Sequence, residues 1–91
     1  MNIPRISSHD TAIRIYYEYV EIGNNEIKEL FGKLSPATIS KLKRLVIDDM
    51  NANGVKSYRK YNVNAKSAYE IWGIDVEDLV RRKNKLEELG Y

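Results

Sequence analysis

The sequence predicts a mainly α-helical domain of four to five short helices, on three observations. Ile13, Tyr16, Tyr17 and Val20 recur at i, i+3, i+4 and i+7, the spacing of one helical face. Ser35-Pro36 opens a long stripe of Ile39, Leu42, Val46 and Met50; serine caps a helix and proline is at home in its first turn. Glycines stand at the ends of the periodic runs, at Gly23, Gly32, Gly54, Gly73 and Gly90, where helices stop.

Each element follows in order. Residues 1–7 read as an extended start, because Pro4 disfavours helix before it,. Ser7 or Ser8 caps a first helix expected to reach about Ile22, where Gly23 and Asn24 end it. A second helix fits Asn25–Phe31, with Ile27, Leu30 and Phe31 inward, and Gly32-Lys33-Leu34 is a turn. The third runs from Pro36 to about Asn51, its apolar stripe widened by Leu45 and Ile47. At ~100° per residue, Ala37, Lys41, Arg44 and Asp48 fall on the opposite side. Val55–Asn64 alternates enough for a short strand or an extended loop,. A fourth helix fits Lys66–Trp72, with Ala68, Ile71 and Trp72 inward. Asp75 caps a fifth, Val76–Leu89, whose apolar set is Val76, Leu79, Val80, Leu86 and Leu89.

A chain of 91 residues is expected to form one domain, 1–91, with a thin core,. It has no cysteine, so neither disulfides nor thiolate zinc sites can reinforce that core,. The first residues lack the apolar run of a signal peptide, and no stretch reaches the ~20 apolar residues of a membrane span. The expectation is a cytoplasmic protein with no membrane contact.

Net charge is only +2, but its distribution is uneven. Residues 35–66 carry seven basic side chains against Asp48 and Asp49, whereas the segments before and after are net acidic. A cationic block of this kind suits a polyanion held by part of the surface.

The segment Leu34-Ser35-Pro36-Ala37-Thr38-Ile39-Ser40-Lys41-Leu42 resembles the turn and recognition helix of helix-turn-helix DNA-binding proteins of the Lac repressor and resolvase type. The shared pattern is apolar–Ser–x–x–Thr–apolar–Ser–basic–apolar, within a motif spanning about Asn25–Asn51. Leu34 plugs the turn, Ser35 caps, and Ile39 and Leu42 dock the helix. The resemblance implies a helix lying in the major groove of double-stranded DNA. Ser35, Pro36, Ala37, Thr38, Ser40, Lys41 and Arg44 then become the expected contact residues. Small side chains at Ala37 and Ser40 permit close approach, while Lys41 and Arg44 reach phosphate or a guanine edge. The turn departs from the family pattern by one added residue, Lys33, and Lys28 or Glu29 replaces the small residue of the preceding helix. Lys56, Arg59 and Lys60, interleaved with Tyr58 and Tyr61, are expected to form a wing-like backbone clamp or a solvated loop,.

A weaker copy lies at 63–82, in VNAKSAYEIWGIDVEDLVRR, and resembles the helix-turn-helix of phage excisionases. Ala68, Trp72, Ile74 and Leu79 would be its core. Glu77 and Asp78 face its supposed groove and repel phosphate, so packing or partner contact is the expected role. Tyr16, Tyr17 and Tyr19 spread around the first helix, more than one core face needs.

His9 is the sole histidine and has no partners at ligand spacing, so no metal or other cofactor is expected,. Asp48-Asp49 and Glu87-Glu88 are helix-surface pairs, and neither a phosphate loop nor a nucleophile signature occurs,. An enzyme is not expected. The expected function is sequence-specific binding of double-stranded DNA, as a transcriptional regulator similar to those of phages and mobile elements, acting alone or as a homodimer. The alternatives are a module that binds a host protein on the same scaffold, or an architectural factor in recombination or packaging.

Overall fold

Ser8 starts the first helix. Its Oγ accepts the Thr11 N–H at 3.0 Å, satisfying one of the free amides of a helix start. In the computed structural model, which describes residues 2–90, this helix is α1, His9–Glu18. It ends four residues before the expected Ile22. The chain turns extended at Tyr19 and forms β1, Glu21–Ile22, antiparallel to β2, Val63–Asn64. Glu21 pairs with Asn64 and Ile22 with Val63, and the Ala65 N–H donates to the Val20 carbonyl at 2.9 Å. β-branched Val20 and Ile22 suit extended backbone. Burial of Ile22 and Val63, both fully enclosed, outweighs another helical turn.

The early end also resets the helix face. Ala12 and Ile15 are buried, with Ile13 and Tyr16 flanking them. Tyr17 and Val20, expected inside, are 67% and 69% exposed.

The second helix, α2, spans Asn24–Phe31 and buries Ile27, Leu30 and Phe31 as expected. Glu26 Oε1 reaches back to accept the Gly23 N–H at 2.8 Å. Gly23 leaves room for the Asn62 amide: a Cβ there would stand 2.7 Å from Asn62 Oδ1 and displace it. Gly32 closes the helix at φ +86°, where residues with a side chain are strained.

The third helix, α3, is Pro36–Ala52, capped by Ser35 Oγ on the Thr38 N–H at 3.2 Å. Ile39, Leu42, Val46 and Met50 are buried. Leu45 and Ile47 do not widen that stripe; they lie on its two flanks, each exposed. Residues 53–62 form turns and loop, and only Val63 and Asn64 of the 55–64 segment become strand.

Asn64 Oδ1 caps α4, Ala65–Trp72, by accepting the Ser67 N–H at 2.9 Å. Asp75 Oδ1 does the same for α5, Val76–Glu88, on the Asp78 N–H at 3.1 Å. The second helix-turn-helix-like copy is therefore two capped helices joined at Gly73. Ala68, Trp72 and Leu79 are buried and Ile74 is half-buried. Ile71 is exposed, since α4 turns Tyr69 inward instead. Leu86 and Leu89 are exposed because α5 continues past the core after Val80.

One core runs through all five helices, from Ala12 to Leu79. α3 packs on α4, and α1 packs on both α5 and α2. Trp72 is the junction: its ring meets Phe31 edge-on at 5.3 Å, and its Nε1 donates to the Leu42 carbonyl at 3.1 Å. Tyr69 OH donates to the Ala12 carbonyl at 2.7 Å. Both large aromatics thus bury their rings without orphaning a polar atom, and their bonds tie α4 to α3 and to α1. No helix among the described residues is long and apolar enough to cross a membrane.

Candidate nucleic-acid interface

The outer side of α3 carries the cationic motif. With Ile39, Leu42, Val46 and Met50 committed to the core, helical geometry turns Ala37, Lys41, Arg44 and Asp48 directly outward. All four are exposed, as are Pro36 and Ser40. Ser35 and Thr38 are occupied differently. Their hydroxyls lie 2.9 Å apart in the cap itself, and Thr38 is half-buried. The first two turns therefore offer a small, flat surface of Pro36, Ala37 and Ser40, followed by Lys41 and Arg44.

The loop after α3 is held against one flank of that helix. The Val55 N–H donates to the Met50 carbonyl at 2.9 Å, and Ser57 Oγ donates to the Asn62 carbonyl at 2.8 Å. The backbone N–H groups of Tyr58 and Arg59 both donate to the carboxylate of Glu21 in β1. Lys56 and Lys60 line a shallow depression with Ile47 and Asn51 of α3. Ser40, Arg44, Ile47 and Asn51 follow each other along one row of α3, so the loop lies at the end of the row that holds Arg44. Lys60 Nζ sits 5.4 Å from the Tyr61 ring centroid. Tyr58 is 89% exposed.

Two further cations, missed in the sequence reading, lie on the α2 side of α3. Lys43 Nζ donates to Asn24 Oδ1 of α2 at 3.1 Å; partial burial pulls its pKa below the ordinary lysine value,. Lys28 borders the same cleft between α2 and α3, beside Pro36, Ser40 and Lys43. The signal for Lys43 was its place on the row Pro36, Ser40, Lys43 and Ile47, which runs between the core stripe and the outward face.

Among the described residues the cations of α1 and α5 are paired, whereas those of the other elements are not. Every ion pair among the described residues involves α1 or α5. Arg14 pairs with Glu18 at 3.1 Å and Glu29 at 2.5 Å, and Lys83 with Asp10 at 3.0 Å. Asp78 faces Arg82 at 2.8 Å and Arg81 at 3.7 Å. The Arg82 hydrogen bond holds the Asp78 carboxyl below its ordinary range. Within the second helix-turn-helix-like copy, Arg81 and Arg82 are thus engaged by Asp78, one of the acids flagged there, while Lys66 is not. By contrast, Lys28, Lys33, Lys41, Lys43, Arg44, Lys56, Arg59 and Lys60 have no carboxylate within ion-pair distance among the described residues. Unpaired cations raise the local positive potential and leave donors free for phosphate.

Among the described residues no group of His, Cys, Asp or Glu is placed to hold a metal ion. Compared with protein-family models, curated proteins and solved structures, the chain matches none.

Proposed function

We propose that this protein binds double-stranded DNA, with α3 in the major groove and the 55–62 loop on the adjoining backbone. The observation that carries this reading is the segregation of charge: ion pairs involve α1 and α5, while the cations of α2, α3 and the loop stand unpaired. Pro36, Ala37 and Ser40 let the start of α3 approach base edges, and Lys41 and Arg44 supply long donors behind them. Lys56, Arg59 and Lys60 act as phosphate contacts that set position without reading sequence. Control of transcription is the biological output we assign. Two copies related by a two-fold axis would read half-sites about 34 Å apart.

The test is fluorescence anisotropy with a labelled duplex over a salt series from roughly 50 to 200 mM. With Lys56, Arg59 and Lys60 on phosphate, log Kd should change with log salt at a slope of about 3, or about 4–5 where Lys41 and Arg44 meet phosphate as well. Absence of binding at the lowest salt overturns the reading.

A further inference from the structure

A cleft of about 670 Å³ opens between α1, α4 and the start of α5. Its volume lies within the usual range for ligand sites, roughly 300–1,000 Å³. No residue of α2, α3 or the 55–62 loop lines it. Tyr16, Tyr17 and Tyr69 form its aromatic side, and Glu70, Asp75 and Glu77 its acidic side, with Lys66 as the one cation.

The aromatic side is built rather than incidental. Tyr69 is buried and its OH is committed to the Ala12 carbonyl at 2.7 Å. Tyr16 leans on it at 5.0 Å, and Tyr17 meets Tyr16 edge-on at 5.3 Å. Tyr17 remains exposed on α1.

The acids differ in what accounts for them. Asp75 caps α5 and Glu77 lies in its first turn, where the helix dipole favours negative charge,. Glu70 has no such account. It stands in the last turn of α4, the end at which the dipole disfavours an acid,. Lys66, four residues earlier, is in the weaker orientation for a helical pair, and no ion pair forms between them. Glu70 thus sits against local helix stability, on the rim of a tyrosine-lined cleft.

We infer that this cleft docks an arginine- or lysine-bearing segment of a partner protein. The cationic head lies against the faces of Tyr16 and Tyr17 and among the carboxylates of Glu70 and Glu77. Charge complementarity selects the occupant: three carboxylates oppose one lysine, and tyrosine faces attract cations. Tyr17, Lys66, Glu70, Gly73, Asp75 and Glu77 are all exposed. The site is therefore an open cleft that a chain can cross, not a closed cage for a small ion. This function is independent of DNA binding and would let the protein hold duplex and a basic segment through separate residues.

The experiment is an amide-resolved NMR titration of the full chain, without DNA. The probe is the peptide acetyl-Ala-Ala-Arg-Ala-Ala-amide, and its citrulline counterpart is the neutral control. The expected result is saturable shifts at Tyr16, Tyr17, Ile74 and Val76. The citrulline peptide, Tyr17→Ala, and the double change Glu70→Gln/Glu77→Gln should each weaken binding about fivefold or more. These positions are on the rim, so the fold is retained, and Glu70→Gln alone should leave thermal stability unchanged or raised. The proposal is overturned by a lack of saturation or by an equal response to citrulline. Shifts centred on another acidic pair, such as Glu87-Glu88, overturn it too. So do concentration-dependent shifts at the cleft without peptide, which assign it to a second copy of this chain.

Discussion

The carboxylate of Glu21 accepts the backbone N–H of Arg59 at 3.2 Å, across 38 positions of sequence. The neighbouring N–H of Tyr58 donates to the same carboxylate. A strand residue thereby fixes the height of the cationic loop relative to α3. Glu21→Ala should speed hydrogen exchange at Tyr58 and Arg59 while α3 keeps its protection. The loss of stability should be about 1 kcal/mol. On the DNA-binding reading, the salt slope should also fall, by up to about 3, as Lys56, Arg59 and Lys60 lose their fixed placement.

Lys41 and Arg44 project from the side of α3 opposite its core stripe. The double change to alanine should shift the melting temperature by no more than about 2–4 °C for each position, because exposed positions of this kind shift stability by less than about 0.5 kcal/mol. Affinity for duplex should drop by about 1–3 kcal/mol for each side chain that reads a base, with the salt slope falling by about 1 for each that meets a phosphate. Unchanged anisotropy curves would falsify the assignment of α3 as the DNA-reading helix.

Trp72 joins α4 to α3 through its Nε1 bond to the Leu42 carbonyl and to α2 through Phe31. Trp72→Phe keeps the aromatic contact but removes the donor and part of the volume. The expected cost is about 1–3 kcal/mol, read by urea unfolding. Trp72→Ala should cost about 3–5 kcal/mol, a large share of the stability of a domain this small.

Asp78 provides the pH test. Its folded-state pKa lies below the ordinary 3.8, first through the hydrogen bond from Arg82. A carboxyl depressed in this way contributes stability that is fully present above the unfolded value and is lost as pH falls through the folded one. Thermal unfolding followed from neutral pH downward should therefore lose a small increment below pH 3.8. In Asp78→Asn that increment is already missing at neutral pH, and this part of the profile flattens.

Much of the fold was readable because local signals and tertiary packing agree. The stripe Ile39, Leu42, Val46 and Met50, the caps at Ser35 and Asp75, and the stops at Gly32 and Gly73 all stand as expected. The end of α1 was not readable. Tyr16, Tyr17 and Val20 continue a helical period, and only the distant Val63-Asn64 pulls Glu21 and Ile22 into a ladder. Tyr69 was hidden for a related reason: its partner is a carbonyl 57 residues away. For the candidate site, exposure of Lys41 and Arg44 follows from periodicity alone. Lys43 and Glu21 needed the fold, since each acts on a segment far from it in sequence.

The two-residue ladder of Glu21–Ile22 with Val63–Asn64 also has a kinetic meaning. It closes a span of about 40 residues that contains α2, α3 and the cationic loop. Closing a span of that length costs roughly 3 kcal/mol of chain entropy, whereas individual helices form in about a microsecond or less. Helices come first, and the ladder follows once α3 and α4 have brought its halves together. The Glu21 anchor needs that closure, so the 58–59 loop should gain exchange protection later than the helices, which pulse-labelled hydrogen exchange during refolding would read,. By the same closure, fraying of the ladder should release the 58–59 loop from Glu21 while α3 and the Trp72 junction stay packed,.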